Sequence, residues 1–573
     1  MRQSRASSLA LAAAFAMLSA APARAQEPPV VPSPSPAPYP SPVLAPAPVP
    51  VSPMLAATAE ADKGPVLELT LAEVVKRAMD NNVDIAVQKY APEASELAIK
   101  QARGVYDPLL TSSINKNSQT DPARNAFSGG EKVDTSNFTF NFGGFQALRT
   151  GGTARLDFDN SRTSTNNVFS SFNPSFGSSL NANVSQPLLR DFRIDSNRLQ
   201  ITLAKKNREI SDVQFRQTVV NTLANVKNLY YDLLYSIDNL EVSRKSLSLA
   251  QRFLEENQIK VRVGTLAPLD VVAAESEKAS REEAVILAEA ALLDAEDALK
   301  RAIFPENDPA MWAINIVPVD KPTADVVSVD LGAAVAKALG NRTDVVAARK
   351  SLENDESNVK FTRNQTLPVF DVVAAYGATG IGGTLLEREG LGGPIIRTVP
   401  GGFGDALSSV FGRDFPTWTL GFNFSYPLFN RQAEAASARA RVNRDQSLAS
   451  LRRLEMQVVA EVRSAARAVE TNFKRVESTR AARILQERRL DAEGKKFAAG
   501  MSTNFLVTQS QRDLAVAEVA ELRAVADYRR SLVDLERVQE AGVGGGATSS
   551  SVAAATGRAS TTTTTLTVGG SNP

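Results

Sequence analysis

Cysteine and histidine are both absent from the 573 residues of this chain. That removes thiol chemistry, His-ligated metal sites and the usual neutral-pH base at one stroke. An excess of either charge is also missing: 64 Lys and Arg stand against 63 Asp and Glu, a formal net charge of +1, so nothing in the total argues for nucleic acid as a partner. Past residue 25 no apolar run reaches the length of a membrane helix. A chain of this kind crosses a membrane only with β-strands closed into a barrel.

What is present begins with an export signal. Arg2 and Arg5 precede the apolar run Leu9 to Ala20, and Ala23-Arg24-Ala25 supplies an A-x-A cleavage pattern, so 1–25 reads as a signal peptide. Cleavage before Gln26 removes three arginines and leaves a formal charge of −2. With no cysteine at the new N-terminus, a lipid anchor there is excluded by chemistry. Residues 26–65 are rich in Pro, Ala, Ser and Val, include Pro32-Ser33-Pro34-Ser35-Pro36, and read as an extended linker. At the other end, 541–573 form a Gly/Ser/Thr tail with five threonines at Thr561 to Thr565 and are expected to be disordered.

Between these segments the sequence states its landmarks twice. Leu71-Ala72-Glu73-Val74-Val75-Lys76-Arg77-Ala78, with Asn81 and Asp84, returns as Leu331-Gly332-Ala333-Ala334-Val335-Ala336-Lys337-Ala338, with Asn341 and Asp344. Ser185-Gln186-Pro187-Leu188-Leu189 returns as Ser425-Tyr426-Pro427-Leu428-Phe429, and Gly264 with Leu269 and Val271 returns as Gly500 with Phe505 and Val507. Matched landmarks in the same order predict an internal duplication. Repeat one covers 66–305, an inter-repeat linker 306–328, and repeat two 329–540.

Each repeat reads as a short helix, a medium helix, a β region, a very long helix, a glycine break and a last helix. Repeat one places the last four elements at 84–105, 108–187, 194–262 and 268–303; repeat two places them at 344–366, 369–428, 431–498 and 505–538. Val219, Val226, Leu233, Leu240, Leu247, Leu254 and Val261 recur every seventh residue, and Val462, Ala466, Val469, Phe473 and Val476 step by four and three. Such heptads wind helices against neighbours. A helix of about 68 residues is roughly 100 Å long, and a medium helix stacked on a last helix approaches 90 Å. Whole and broken staves side by side build a cylinder.

The β regions alternate. Trp418, Leu420, Phe422, Phe424 and Tyr426 fall on every second residue, with Thr419, Gly421, Asn423 and Ser425 between them. The same rhythm runs through Leu180, Ala182 and Val184, through Phe138, Phe140 and Phe142, and through Ala154, Leu156 and Phe158. A wall with hydrocarbon on one side and water on the other demands this pattern over about ten residues. Trp418, Leu420, Phe422, Phe424 and Tyr426 are therefore expected to face lipid. Two strands per repeat, four in all, cannot close a barrel, so closure needs other subunits. Residues 137–160 read as an additional hairpin around Thr150-Gly151-Gly152, expected outside the hydrocarbon.

Chemistry-bearing motifs are scarce. Gly377-Ala378-Thr379-Gly380-Ile381-Gly382-Gly383 looks like a nucleotide-binding loop, but no GK[ST] step or βαβ unit accompanies it, and it reads as a mobile external loop. Carboxylates such as Glu255 and Glu256 interleave with Arg and Lys as on a solvated helix face. No enzyme and no cofactor is expected.

The Ser185 and Ser425 landmarks and the Gly264 and Gly500 breaks together resemble those of the TolC family of bacterial outer-membrane efflux proteins, over about 66–540. The resemblance implies an α+β membrane protein: a trimeric outer-membrane β-barrel of twelve strands, continued by a long periplasmic α-helical barrel. Six strands per chain would give eighteen. It implies a passive exit channel for small molecules or proteins, working with a periplasmic adaptor and an inner-membrane pump, proton-driven (RND) or ATP-driven (ABC). Carried over residue by residue, Val263, Gly264 and Thr265 match one adaptor-docking tip and Ala499, Gly500 and Met501 the other. Glu461 is a candidate for the acidic gate that narrows the periplasmic mouth. The competing reading is a secreted, oligomeric coiled-coil structural or adhesive protein whose strands pack between subunits.

Overall fold

The computed structural model describes residues 65–122, 131–304, 309–320, 325, 327–390 and 392–542. The expected signal peptide, nearly all of the Pro-rich linker and the tail after residue 542 lie outside the described residues. Repeat one runs β1 (Val66–Leu69), α1 (Leu71–Asn81), α2 (Val83–Arg103), β2 (Leu109–Pro122), β3 (Lys132–Ala147), β4 (Thr153–Thr165), β5 (Phe172–Pro187), α3 (Ser196–Arg262) and α4 (Pro268–Ile303). Next come α5 (Pro309–Trp312) and β6 (Asn315–Pro318). Repeat two runs α6 (Leu331–Asn341), α7 (Thr343–Asn364), β7 (Val369–Arg388), β8 (Ile395–Val399), α8 (Phe403–Gly412), β9 (Phe415–Ser425), α9 (Arg431–Ala498) and α10 (Asn504–Glu540).

Helix lengths carry the duplication. Helices α1 and α6 have 11 residues each, α2 and α7 have 21 and 22, α3 and α9 have 67 and 68, and α4 and α10 have 36 and 37. Each repeat starts at a polar cap. Thr70 Oγ1 accepts from the Glu73 amide while Glu73 Oε2 accepts from the Thr70 amide, and Asp330 Oδ1 accepts from the amides of Gly332 and Ala333.

The helices pack as staves. Both α2 and α4 lie against α3, and both α7 and α10 lie between α3 and α9. Two whole helices of about 100 Å thus alternate with two broken ones. The heptad seam supplies the packing face: Val226, Leu233 and Leu240 are buried in α3, and Val462, Val469 and Val476 in α9. Near its far end α3 buries Ala250, Phe253 and Asn257 instead, because a straight helix drifts about 20° per heptad relative to a strict seven-residue repeat. Arg244 and Gln251, which continue at seven-residue steps from Leu223, Tyr230 and Ile237, are polar and exposed.

The segment between the repeats does more than connect them. Strand β6 pairs in parallel with β1, from Val66 opposite Asn315 to Leu69 opposite Pro318. Ile316 is buried in one cluster with Leu69, Val74, Tyr230, Leu233 and Leu299. Asp320 then accepts from the Leu71 amide (2.7 Å) and the Tyr230 hydroxyl (3.0 Å).

The β regions of both repeats form one antiparallel sheet, ordered β2-β3-β4-β5-β7 with β9 beyond β7, and short β8 beside the outer end of β7. Two sequence expectations are corrected here. The additional hairpin is not appended to a four-stranded sheet: β3 and β4 are inserted between β2 and β5, in register from Leu109 opposite Phe145 to Pro122 opposite Lys132 on one side, and from Thr153 opposite Ser185 to Thr163 opposite Ser175 on the other. Six strands, not four, cross the sheet among the described residues. Gly377 to Gly383 are not a loop but the middle of β7. A β-carbon on Gly380 would sit 2.1 Å from the Ala406 carbonyl oxygen, and one on Gly382 would sit 2.3 Å from that of Gly402. Glycine lets α8 lie directly on the strand.

Where the repeats diverge, the exchange is chemically interpretable. Asn82 at the start of α2 donates Nδ2 to the Ala302 carbonyl (3.0 Å). Its counterpart Arg342 donates Nη1 to the Val538 carbonyl (3.4 Å) at the matching turn of α10, and is also paired with Glu461 of α9 and Asp344. The residue matching Glu461 in α3 is Asn225. Arg342 is 1% exposed, so its charge depends on those carboxylates. Arg342→Ala is expected to cost about 3–5 kcal/mol, because it leaves Glu461 with an unpaired charge in a half-buried site. Arg342→Asn with Glu461→Asn, which copies repeat one, is expected to recover most of that loss. Thermal unfolding followed by helical circular dichroism checks both; a double variant no more stable than the single one defeats the equivalence.

Candidate functional site

The helices end far from the sheet in two turns of the same construction. After α3 the Gly264 amide donates to the Val261 carbonyl (3.0 Å) and the Thr265 amide to that of Lys260 (2.9 Å). After α9 the Gly500 amide donates to Phe497 (3.2 Å) and the Met501 amide to Lys496 (2.8 Å). These are Schellman closures around a left-handed residue: φ is +81° at Gly264 and +74° at Gly500. A β-carbon would meet nothing within 4 Å at either glycine. Conformation alone selects glycine, and the space outside each turn is open. Pro268 then starts α4, and Thr503 caps α10 through the Leu506 amide (3.4 Å).

The structure brings the two turns together. Lys260 Nζ stands 3.7 Å from the ring centroid of Phe497, and the Phe253 and Phe497 rings are 5.5 Å apart. The wholly buried Asn257 donates Nδ2 to Asn504 Oδ1 (3.0 Å), and Asn504 Nδ2 donates to the Asp270 carbonyl (3.0 Å). Two turns further along α4, the buried Glu277 accepts from Arg281 Nε (2.8 Å) and Arg512 Nε (2.7 Å). The two helical hairpins are therefore tied by polar contacts, not only by the seam.

Around these ties apolar side chains stand exposed among charged ones. Val263 and Met501 are exposed, and Thr265 and Ala499 flank them in the open. Leu269 is 77% exposed and Phe505 70%. Neither was assigned to the site from sequence, although both stand in the repeat landmark that carries the glycines. Large apolar side chains are thus left in water at matching positions of both hairpins. The Asn257–Asn504 and Glu277–Arg512 pairs had no local signal, since their partners lie 247 and 235 residues apart.

Glu461 is not near these turns. Roughly 60 Å of helix separates it from Gly500, and its carboxylate is engaged by Arg342 and by Gln457 Nε2 (2.8 Å). It is the counter-ion of a buried arginine at the junction of α6 and α7.

At the sheet, Trp418, Leu420, Phe422 and Phe424 share one face of β9 and are all exposed; Tyr426, one residue past the strand, is exposed too. Opposite them on β7 stand Tyr376, Ala374, Val372 and Phe370, with the Phe370 and Phe422 rings stacked at 5.8 Å. The reverse face carries Thr417, Thr419, Gly421 and Asn423. Among the described residues no helix is long and apolar enough to cross a membrane, and no cluster of His, Cys, Asp or Glu is arranged to hold a metal ion.

Burial pushes the Glu277 carboxyl upward, but hydrogen bonds and charges from Arg512 and Arg281 outweigh it and hold the group below the usual carboxylate range. A depressed native value means the folded protein binds fewer protons than the unfolded chain between the two values, so stability rises with pH through that window. The tie between the hairpins is expected to be constant near neutral pH and to weaken as pH falls below about 4.5 toward the depressed native value. Hydrogen exchange of the 504–512 amides reads this; Glu277→Gln is expected to lower protection at neutral pH and to remove the acidic step.

The comparisons with known proteins follow this division. A family described as outer membrane efflux protein matches residues 74–303 and 334–539, one stretch per repeat. Among solved structures, a membrane protein from Pseudomonas aeruginosa aligns at TM-score 0.59 and 17% identity, covering 82% of this chain and 93% of that one. The outer membrane protein VceC from Vibrio cholerae gives 0.57 and 15%, covering 82% and 96%. The open state of the MtrE outer membrane channel from Neisseria gonorrhoeae gives 0.55 and 16%, covering 82% and 89%. At such identities the likeness is one of fold. Among curated proteins none matches.

Proposed function

The chain belongs to the outer membrane efflux protein family, and from that premise we propose how its parts make a conduit. It is an outer-membrane protein with a long periplasmic helical region, and it acts as a passive exit channel, not as an enzyme. The observation that carries the reading is the sheet: one apolar face, one polar face, and two long edges, β2 and β9, that find no partner strand among the described residues. Such edges cannot stand in hydrocarbon, where every backbone amide and carbonyl must be paired. The edge β2 of one chain meets the edge β9 of the next, and a ring of three, the number the family resemblance implies, closes the barrel.

The helices support the same closure. Their lateral order is α2 with α4, then α3, then α7 with α10, then α9, so the free staves are α2 with α4 on one side and α9 on the other. Ile286, Leu287 and Leu293 of α4 and Met456 and Leu485 of α9 are exposed large apolar residues on those free staves. Head-to-tail contact buries them and seals a helical tunnel. Val263, Gly264, Thr265, Ala499, Gly500 and Met501, joined by Leu269 and Phe505, dock the helical hairpin of a periplasmic adaptor. Through it the channel receives cargo from an RND or ABC pump in the inner membrane.

Two experiments test this. Phe422→Arg is expected to abolish the assembled oligomer in the outer membrane, since a guanidinium on the lipid face costs about 2–4 kcal/mol at the midplane. Asn423→Arg is expected to assemble and to change single-channel conductance; equal tolerance at both positions refutes the facing. At the turns, Gly264→Val or Gly500→Val is expected to abolish export in an efflux assay while oligomers persist, and Gly264→Asn, which tolerates the left-handed region, to retain it. Unchanged export in both valine variants defeats the docking role.

A further inference from the structure

The inserted hairpin β3–β4 carries the same two-faced pattern as the rest of the sheet, in the same rows. Cross-strand partners run Leu110, Gly144, Leu156, Ala182, Tyr376 and Trp418 along one row of the apolar face. In the adjacent row Phe142, Phe158, Leu180 and Ala378 follow one another. On the reverse face the corresponding row reads Gly143, Asp157, Asn181, Gly377 and Thr417, with Arg155 and Asp159 of β4 to either side. Phe142 is 52% exposed and Leu156 51%, alongside Trp418 at 76%. The register runs without interruption from β2 through the hairpin to β5, with Ser112 of β2 opposite Phe142 and the buried Ala378 of β7 at the far end of that row.

The apolar face also ends at a common level. Helix α8 lies on it above these rows, with the Phe403 ring 5.4 Å from Phe140 of β3 and 6.2 Å from Phe176 of β5. Beneath α8 the face turns polar and buried, at Asn160 of the hairpin and Ser178 of β5. On β9 the exposed apolar residues run from Trp418 to Tyr426, about nine residues, the length a tilted strand needs to cross a bilayer core; on β7 the same face is accessible from Phe370 to Tyr376 and is buried at Ala378. The hairpin's uncovered rows stand at this same height on the sheet.

We propose that β3 and β4 are membrane-crossing strands, so that each chain contributes six strands to the wall and lipid hydrocarbon covers Phe142, Leu156 and Phe158. Arg155, Asp157 and Asp159 then line the water-filled side. The proposal rests on the exit-channel reading above. A ring of three closes with eighteen strands instead of twelve. Since barrel diameter grows roughly linearly with strand number, the outer opening is about 1.5 times as wide and roughly twice as large in cross-section. The helical staves number four per chain either way, so the added width belongs to the exit alone and suits cargo that needs room after leaving the tunnel.

The absence of native cysteine makes the test direct. Single variants Phe142→Cys, Leu156→Cys and Asp159→Cys in the hairpin, with Phe422→Cys and Asn423→Cys in β9, are assembled in outer-membrane vesicles and exposed to a charged maleimide. Asp159→Cys and Asn423→Cys are expected to label at least tenfold faster than Phe142→Cys, Leu156→Cys and Phe422→Cys, and the difference to vanish on unfolding in detergent. Phe142→Cys and Leu156→Cys labelling as fast as Asp159→Cys, while Phe422→Cys stays protected, overturns the six-strand wall and leaves the channel reading intact. Labelling of Phe422→Cys as fast as Asn423→Cys overturns the membrane wall itself, and this inference with it.

Discussion

Backbone hydrogen bonding in hydrocarbon is the constraint from which this architecture follows. A lipid-exposed amide or carbonyl without a partner costs several kcal/mol, so a sheet in a membrane must close. One chain here builds a sheet with an apolar and a polar face over β3 to β9, its edges β2 and β9 without a partner strand among the described residues. On the proposed reading, those edges are where neighbouring chains join. Everything on the helical side is compatible with that joining, because the free staves lie on the same two flanks as the free strands.

Duplication makes the helical part economical. Each repeat offers one whole stave and one stave broken by the β region, and interleaving them gives four staves from two copies of one plan. The glycine turns do the local work of reversing a stave without a bulky loop. They also leave an apolar surface at the tips, where Leu269 and Phe505 occupy matching places. That matching is informative: one exposed hydrophobe is ordinary, whereas the same one kept in both halves of a chain points to one role performed twice.

Polar contacts are where the halves part company. Asn82 and Arg342 perform the same task, holding the first turn of a medium helix to the end of the last helix, yet only the arginine requires a counter-ion in the long helix. The Glu277–Arg512 and Asn257–Asn504 pairs join one repeat to the other near the turns. Such pairs carry specificity of alignment more than net stability. A long helix sliding by one turn along its neighbour keeps its heptad contacts but loses these.

The sequence by itself determined the elements and their order. Heptads, caps and glycine breaks act within a few residues, and the alternation of Trp418 to Tyr426 is a property of one strand. Strand membership was less legible. Reading Gly377 to Gly383 as a loop failed because the reason for those glycines, the close approach of α8, lies in tertiary contact. The hairpin's place within the sheet was not legible, because pairing with β2 and β5 is a matter of register between segments, and neither edge announces its neighbour in its own residues. The partner of Glu461 was unreadable for the same reason: Arg342 comes 119 residues earlier in the chain. What a residue contributes through its own periodicity was readable in one dimension, whereas which partner satisfies it was decided only when the fold brought distant segments within hydrogen-bonding reach.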